Sequence, residues 1–376
     1  MRRSYDVVIV GAGIVGAACA AECAQRAIRV AIVDGDFAGS GTTAAAMGHI
    51  VVMDDSEAQF ALTRYSQQLW RARRSELPEE VEFDQCGTLW VAEGDEEMAE
   101  ARRKEAYFRE RGVPAEILSP EELARLEPQL RPGMAGGLLV SEDAVLYPPC
   151  AARFLLDEAQ AKGAELRLGV AASRIGGGCV QLANGEELSA GVIVNAAGVA
   201  APTLSPGVEV KKRKGHLVIT DRYPGVVRHQ VVELSYYASV HGASLDSVAF
   251  NVQPRKTGQV LIGSSRQYGA ESKDVDQVIL SRMLQRAEHF MPVLRRLLAI
   301  RVWTGFRAAT ADRLPLIGWN PTDRSVYLAT GHEGLGITTS LGTAKLFVDQ
   351  LMGRNPEIPI EPYSPARITN MSHAHA

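Results

Sequence analysis

A glycine-rich turn between two apolar segments near the start of the chain constrains the fold most. Residues 5–10 are predicted to form a buried strand, residues 11–16 a tight turn, residues 17–26 an alanine-rich helix, and residues 29–33 a second strand that ends at Asp34. This order is typical of a dinucleotide-binding βαβ unit, whose glycines permit the turn, the approach of a pyrophosphate and close helix packing. The sequence therefore predicts a Rossmann-like α/β domain.

The turn, the helix start and the acid after the second strand are the predicted dinucleotide contacts. The N-terminus of the helix offers unpaired N–H groups and the positive end of its dipole to a diphosphate. A carboxylate at position 34, eighteen residues after Gly16, is placed to accept hydrogen bonds from a ribose diol. The alternative is a glycine turn in a fold that binds nothing. The predicted contacts are Gly11, Gly13, Ile14, Val15, Gly16 and Asp34.

The segment that follows distinguishes FAD from NAD, which share this fingerprint. A nicotinamide domain would continue with short βα units. Residues 39–49 instead form a loop of small residues, rich in hydroxyls and backbone donors, that can run alongside an extended FAD. A flexible linker is the alternative. The predicted cofactor contacts in this loop are Thr42, Thr43, Met47, Gly48 and His49.

Composition narrows the functional classes. The 376 residues are 46% hydrophobic and 22% charged, as expected for a folded chain of two or three domains. A net charge of −4 gives no general attraction for nucleic acid or an anionic membrane. The five scattered cysteines contain no CxxC pair, which predicts reduced thiols in a cytoplasmic protein and no metal site. The apolar stretch 7–21 is flanked by acids and is too short to span a bilayer, so we do not interpret it as a signal peptide.

Two later segments return the chain to the predicted cofactor site. A strand at 191–194 enters the small-residue turn Asn195-Ala196-Ala197-Gly198, and a strand at 326–329 enters a glycine-rich loop that opens a helix at 337–351. A second helix N-terminus that follows glycines favours the binding of another electron-rich group of a ligand. The predicted contacts are Ala197, Gly198, His332, Gly334, Leu335, Gly336, Ile337 and Thr338. His332 either contacts the cofactor or braces its turn.

A separate antiparallel sheet is predicted between these segments. Residues 212–265 alternate between apolar and polar, with strands at 216–220, 231–234, 248–252 and 260–263. The asparagine and glycine at 184–185 predict a hairpin turn. Among the helices, 57–75 is predicted to be amphipathic and 96–111 to be solvated and polar, and a capping box at Ser119 opens a short helix to about Leu126.

Together with Val-Trp-Thr-Gly-Phe-Arg at 302–307 and the Gly-His-x-Gly-x-Gly loop at 331–336, these motifs resemble the D-amino acid oxidase family of FAD-dependent oxidoreductases. The likeness covers residues 5–352 and looks closest to the branch of glycine oxidase, sarcosine oxidase and D-hydroxyproline dehydrogenase. Residues 47–49 look like the corresponding segment of the β subunit of D-hydroxyproline dehydrogenase, and hydrogen cyanide synthase has a similar subunit.

The resemblance implies a division into two domains. An FAD-binding domain would comprise residues 1–85, 145–211 and 308–376. A substrate domain would comprise residues 86–144 and 212–307, with a mainly antiparallel sheet that covers the isoalloxazine.

The resemblance also implies roles for individual residues. Arg307 matches the arginine that holds the substrate carboxylate, and a structural salt bridge is the alternative. Arg307 is also counted among the residues expected to contact FAD. Tyr236 and Tyr237 are adjacent on a substrate-domain strand, so at most one faces the flavin. His49 lies near the ring or is satisfied by backbone carbonyls. Residues 214–216 resemble the start of a substrate-domain strand, although the basic run 211–214 is typical of a solvated sheet edge.

Cofactor attachment and activity are the last expectations. No cysteine follows Cys179, so the thiol linkage of some relatives cannot form and FAD should be non-covalent. No Gly-Asp pair follows residue 250, which disfavours an NADPH-dependent monooxygenase. The expected function is hydride removal from Cα of D-hydroxyproline, D-proline or a similar small acid. It would act as the catalytic subunit of a multi-chain dehydrogenase, with partner chains that carry further redox cofactors.

Two alternatives stay open. The chain could be a self-sufficient glycine, sarcosine or D-amino acid oxidase that produces hydrogen peroxide. It could also be a hydrogen cyanide synthase-like subunit or a flavin-bearing scaffold whose partner performs the chemistry.

Overall fold

The computed structural model describes residues 3–235 and 246–367 and contains two large sheets and one short ribbon. The strands are β1 (Arg3–Val10), β2 (Val30–Asp34), β3 (His49–Ile50), β4 (Thr88–Ala92), β5 (Ala115–Leu118), β6 (Gly136–Val140), β7 (Ala144–Val145), β8 (Glu165–Leu168), β9 (Ala172–Gly176), β10 (Cys179–Leu182), β11 (Glu187–Asn195), β12 (Lys211–Arg222), β13 (Gln230–Glu233), β14 (Asp246–Pro254), β15 (Gln259–Tyr268), β16 (Ala299–Ala309), β17 (Leu316–Asn320) and β18 (Asp323–Thr330).

The α-helices are α1 (Ile14–Gln25), α2 (Glu57–Ala72), α3 (Asp95–Glu110), α4 (Pro120–Leu126), α5 (Pro148–Ala161), α6 (Ala201–Leu204), α7 (Gln277–Phe290) and α8 (Gly336–Leu351). Short 3-10 turns lie at Arg74–Glu76, Glu79–Val81, Gly198–Ala200, Pro292–Arg296 and Glu361–Tyr363. None of the helices in the described ranges is both long enough and apolar enough to span a membrane.

The first sheet has the order β17-β18-β11-β1-β2-β8, with β10 and β9 attached to the side of β11. Its central strands are parallel, and Val10 lies opposite both Asn195 and Val33. Apolar side chains cover both faces, since Val7 and Ile9 join a cluster with α1, α5 and α8, whereas Val8 joins a second cluster. Burial on both faces explains the continuous apolar run of β1. The predicted Rossmann-like core is confirmed.

Two details of this sheet differ from the prediction. Helix α1 begins at Ile14, so Gly16 lies inside the helix instead of in the turn. The hairpin of β9 and β10 was not predicted, although the turn at Asn184 and Gly185 that joins β10 to β11 was. Only Ile175 of β9 is buried, and a strand with so little burial carries only a weak apolar pattern.

The second sheet has the order β16-β12-β15-β14-β13-β4-β6-β5 and is antiparallel except where β13 runs parallel to β4. One face is apolar and packs against α7, where Phe250 stacks on Phe290 with ring centroids 4.6 Å apart. The other face is turned toward the first sheet and carries Trp90, Asn251 and Arg307. The predicted antiparallel sheet is confirmed, and its two faces have different chemistry because successive side chains alternate.

The basic run at 211–214 does not form a solvated edge, so that interpretation is wrong. Strand β12 lies between β16 and β15, and Arg213 and Lys214 are each only 5% exposed. Arg213 pairs with Glu333, and the Lys214 ammonium donates to the backbone oxygen of Asp274. These partners are far away in sequence, which is why the run resembles an exposed edge.

Helix α3 was predicted to be solvated and polar, but one of its charged residues is buried. Lys104 is fully buried, pairs with Asp54 and lies 5.0 Å above the Trp90 ring. Burial lowers the pKa of the Lys104 ammonium, and Asp54 opposes that shift. Helix α2 ends at Ala72 instead of residue 75, and the capping box at Ser119 is confirmed.

Candidate functional site

A long cleft lies between the two sheets, at the carboxyl ends of the parallel strands. Strands β1, β2, β11 and β18 end beside it, and strands β12, β14, β15 and β16 face it from the second sheet. Ligands of open α/β sheets bind at this edge. The lining includes Gly11, Gly13, Ile14, Val15, Asp34, Thr42, Thr43, Met47, Gly48, His49, Ala197, Gly198, Arg307, His332, Gly334, Gly336 and Ile337.

Glycines form one end of the cleft because no side chain fits there. Gly11 has φ +112°, and a Cβ on it would collide with the backbone oxygen of Ala196. A Cβ on Gly16 would collide with the Gly11 oxygen, so Gly16 brings α1 against β1 without lining the cleft. Gly13 caps α1 without a side chain, and the first turn of the helix faces the cleft. These are the roles that the fingerprint predicts.

Asp34 is held at the cleft by two backbone groups. Its Oδ2 accepts from the Ala12 N–H at 2.7 Å, and its Oδ1 accepts from the Asp36 N–H at 3.0 Å. Each carboxylate oxygen has a further lone pair. The side chain is therefore oriented and can still accept hydrogen bonds from a ligand diol.

The loop at 39–49 is anchored at several points, so the flexible-linker alternative is wrong. The Thr43 hydroxyl accepts from the Ile14 N–H at 3.0 Å, and the Thr42 hydroxyl donates to the Phe306 oxygen at 2.7 Å. The Trp303 indole donates to the Ala45 oxygen at 3.2 Å. The loop therefore spans the cleft from α1 to β16.

The end of this loop places His49 on the wall of the cleft. The Gln253 amide donates to the Met47 oxygen at 2.8 Å, and Gly48 has φ +112° with no space for a Cβ beside Leu146. Burial, reinforced by the charge of Arg307 and opposed by a hydrogen bond with Gln253, lowers the pKa of His49 to about 4. Its imidazole is therefore neutral at pH 7.

The second glycine-rich loop is braced by His332. The His332 Nε2 lies 3.0 Å from the Thr343 hydroxyl of α8, and burial lowers the pKa of His332 to about 3. His332 also lines the cleft, so both predicted roles are compatible with its position. Leu335 and Thr338 do not line the cleft, and the Thr338 hydroxyl donates instead to the His49 oxygen at 2.8 Å.

Arg307 is held by a network in the second sheet. Its Nη1 donates to the Ser265 backbone oxygen at 2.9 Å, and the guanidinium lies against Gly215, where a Cβ would approach Nη1 to 2.6 Å. The Asp276 N–H donates to His216 Nε2 at 2.9 Å, so His216 Nδ1 carries the proton and donates to the Ser265 hydroxyl at 2.9 Å. The absence of a side chain at Gly215 and the fixed Ser265 together position the guanidinium in the cleft.

A second cavity of about 120 Å³ opens from the cleft, and we call it the side chamber. Five residues line both cavities and mark the opening, namely His49, Asn251, His332, Glu333 and Gly334. The other lining residues are Val51, Met53, Asp55, Gln59, Trp90, Gln230, Val232, Arg266, Arg313 and Leu335.

Several site residues were not identified from the sequence, and two predicted ones cannot be placed. Tyr236 and Tyr237 lie outside the described residues. Gly215, Asn251 and Gly305 of the second sheet line the cleft but were not predicted to do so. The alternation of the strands is the signal that could have found them, but it does not reveal which face is turned toward the cleft.

Comparison with known protein families matches residues 6–350 to the family described as FAD dependent oxidoreductase, DAO. Glycine oxidase of Geobacillus kaustophilus is 28% identical, over 98% of this chain and 98% of its own length. Hydrogen cyanide synthase subunit HcnC of Pseudomonas aeruginosa is 27% identical, over 98% of this chain and 97% of its own.

Two solved structures share the whole architecture. The crystal structure of glycine oxidase from Geobacillus kaustophilus has a TM-score of 0.86 at 27% identity, covering 96% of this chain and 98% of its own. The structure of L-proline dehydrogenase from P. horikoshii has a TM-score of 0.87 at 22% identity, covering 98% and 99%, and this likeness concerns the fold alone.

Proposed function

Since the chain belongs to the DAO family of FAD-dependent oxidoreductases, we propose that it oxidises a small amino or imino acid of the D-hydroxyproline or D-proline type. The observation that carries the proposal is Arg307, a positioned guanidinium on the wall of the cleft that faces the cofactor-binding loops. A planar guanidinium binds a carboxylate through two parallel hydrogen bonds.

FAD is the cofactor of the family, and the cleft fits it. The glycine cradle at Gly11 and the N-terminus of α1 suit a diphosphate, Asp34 suits a ribose diol, and the loop at 39–49 runs from there to the second sheet. Bound FAD would supply a two-electron acceptor for the hydride that the substrate loses from Cα, while the nitrogen lone pair of the substrate forms the C=N bond.

The residues of this chain bind and orient the substrate for that step. Arg307 holds the carboxylate, which limits how the α-carbon can be turned. His49 is uncharged at pH 7 and so does not repel the substrate amine at the opening of the side chamber. The backbone N–H groups at the start of α8, from Gly336 onward, supply positive potential at the far end of the cleft.

The side chamber supports a substrate larger than glycine. Glycine has no side chain, whereas the chamber provides about 120 Å³ of additional space beside the opening. A pyrrolidine ring or a short side chain would fill the chamber, whereas a long side chain would be too large for it.

The cysteines support non-covalent FAD and a cytoplasmic location, both of which we propose. Cys19 and Cys23 are buried in α1, and all five thiols are free. None of the cysteines lines the cleft or the side chamber among the described residues. Unpaired thiols are typical of a reducing compartment.

We also propose the division into an FAD-binding domain and a substrate domain at the boundaries given above. The strands of the first sheet all fall within 1–85, 145–211 and 308–376, which supports it. Strands β12 and β16 of the second sheet extend one or two residues beyond the proposed limits at 212 and 307.

Two electron acceptors are proposed, each with its own support. A partner chain, in a multi-chain dehydrogenase, is supported by the relative named as a subunit and by two exposed apolar residues at the start of the outer edge strand β16. Leu298, just before β16, is 68% exposed, and Ile300, in β16, is 57% exposed. Oxygen, in a self-sufficient oxidase, is supported by the relatives named glycine oxidase.

Anaerobic reduction of the purified flavoprotein tests the proposal. We expect D-hydroxyproline, D-proline, sarcosine or glycine to bleach the flavin absorbance. Slow reoxidation after admission of air would indicate a partner chain, and fast reoxidation with peroxide would indicate an oxidase. Bleaching by none of them would overturn the proposed activity in favour of a flavin-bearing scaffold.

Substitution of the guanidinium tests the role of Arg307. Arg307→Ala should raise the dissociation constant of the substrate by about 10- to 100-fold, since a hydrogen bond to a charged group contributes about 1.5–3 kcal/mol. The flavin content should stay the same. Arg102→Ala, on the exposed surface of α3, is the matched control. Unchanged substrate affinity in Arg307→Ala would contradict the proposed carboxylate site.

A further inference from the structure

The side chamber carries an inference about the substrate that rests on the proposed function and extends it. We infer that the chamber recognises a hydroxyl group on the ring or side chain of the substrate, and that Gln230 and Asn251 select it. Substrates with this hydroxyl would be preferred to the same carbon skeleton without it.

Two buried amides in the chamber have acceptor atoms that are not used by any residue the structure describes. Gln230 is 3% exposed and Asn251 is 4% exposed, and both line the chamber. The Gln230 Oε1 and Asn251 Oδ1 atoms are buried without a hydrogen-bond partner within residues 3–235 and 246–367. Buried polar atoms are normally paired, because an unpaired one keeps its desolvation penalty. A ligand that donates a hydrogen bond would remove that penalty.

The two amides are close enough to act on one small group. Val232 of β13 lies opposite Asn251 of β14, and Gln230 is two residues before Val232 on the same face. Diagonal neighbours of this kind on adjacent strands are about 7 to 8 Å apart at the backbone and still within reach of long side chains. A hydroxyl between them can donate to either amide oxygen and accept from an amide N–H.

The remaining walls suit a compact carbon skeleton. Trp90, Val232 and Val51 are 6%, 3% and 5% exposed and supply apolar surface. The lining also contains four charged side chains, those of Asp55, Arg266, Arg313 and Glu333. A hydroxylated ring would place its carbons against the apolar walls and its oxygen at the amides.

The opening of the chamber lies beside the proposed carboxylate site. Gly334 lines both cavities, and a Cβ on it would lie 3.9 Å from Cδ and Nε of Arg307. Asn251 also lines both cavities. A substrate whose carboxylate binds Arg307 therefore has its remaining atoms at the entrance to the chamber.

The test compares 4-hydroxy-D-proline with D-proline in anaerobic rapid-mixing reduction, which yields a limiting rate and a dissociation constant for each. We expect the intact protein to prefer the hydroxylated member by at least about tenfold, because a site built for a hydroxyl leaves its polar groups unpaired when the hydroxyl is missing. Gln230→Met and Asn251→Leu, which keep similar volumes, should each reduce that preference about fivefold or more.

Controls separate a specific effect from a general one. Gln285→Met, on the exposed surface of α7, should keep the full preference. Flavin content reports folding of each variant. If Asn251→Leu loses its flavin, Gln230→Met decides, because Gln230 lines the chamber but not the cleft.

Three outcomes would overturn the inference. Equal affinity of the intact protein for both imino acids would leave the proposed function in place and remove the hydroxyl preference. Variants that raise the dissociation constants of both imino acids equally would show that the amides bind the amine that the two share. If sarcosine or glycine reduces the flavin and neither imino acid does, the chamber has no role in substrate binding. If none of these compounds reduces the flavin, the proposed function itself is overturned.

Discussion

The two walls of the cleft use different parts of the chain. The wall from the first sheet is built from backbone, with glycines where no Cβ fits and a helix terminus, and it has one oriented carboxylate, Asp34. The wall from the second sheet is built from side chains, among them Trp90, Asn251 and Arg307. Substitutions in the first wall therefore disturb the backbone of the fold, whereas substitutions in the second wall change the side chains that face a ligand while the fold is kept.

The largest expected effect comes from adding one carbon to the backbone wall. Gly16→Ala would push a methyl group into the Gly11 oxygen and separate α1 from β1. We expect destabilisation of at least about 3 kcal/mol, the upper end of the usual cost of overpacking a core, because the atom that the methyl group meets is backbone and cannot rotate away, and loss of bound flavin. Flavin content and urea unfolding measure both. Gly94→Ala is the control, since a Cβ there meets nothing within 4 Å. Full flavin content in Gly16→Ala would contradict the view that the backbone of the first wall determines cofactor binding.

A smaller effect is expected behind the side-chain wall. Lys104→Met removes the buried partner of Asp54, whose side chain is 1% exposed, and should lower the free energy of unfolding by about 3 kcal/mol. Arg103→Met is the control, because the Arg103 side chain is 49% exposed and its pair with the same carboxylate should contribute less than about 1 kcal/mol. Urea unfolding measures both variants. Equal losses would mean that burial does not distinguish these two ion pairs.

The smallest expected effect is a loss of stability in acid, caused by His49 and His332, which lie where the two walls meet. The pKa values of His49 and His332 are lowered from 6.5 to about 4 and about 3, both mainly by burial. The unfolded chain takes up these protons near pH 6.5 while the folded chain does not, so stability is full above pH 6.5 and falls as the pH decreases toward 4. Between pH 6.5 and 5 each histidine should contribute a loss of about 1.5 kcal/mol.

A variant isolates this contribution. His332→Gln should show a shallower decline of unfolding free energy over the same interval, measured with FAD held in fixed excess. An identical slope in His332→Gln would exclude His332 as a source of the decline and leave His49 as the boundary histidine responsible.

The backbone wall could be predicted from the sequence, and the side-chain wall largely could not. Gly11 and Gly16 are predictable because only glycine fits at those points. The faces of β14 and β15 depend on an irregular register between Val248 and Asn251, which no local pattern shows. A shift of one residue exchanges the faces of a strand, so the side chamber was not predicted.

Long-range pairing explains the errors in the charged segments. Lys104 is buried because Asp54, 50 residues earlier, neutralises it, and Arg213 is buried because Glu333 lies 120 residues later. Composition alone predicts both to be solvated. Arg307 was predicted through resemblance, since nothing in its local sequence distinguishes a ligand-binding arginine from a structural one.

The pairing of β1 with β11 also has a consequence during synthesis on the ribosome. Val10 pairs with Asn195, and Asn195 in turn pairs with Leu328. The apolar β1 therefore emerges with β2 but without its other neighbour, β11, and α8 follows more than 300 residues later. At roughly 5–20 residues per second, that interval lasts some tens of seconds. Nascent chains of this protein should thus need protection from aggregation, and should acquire flavin only when translation is nearly finished.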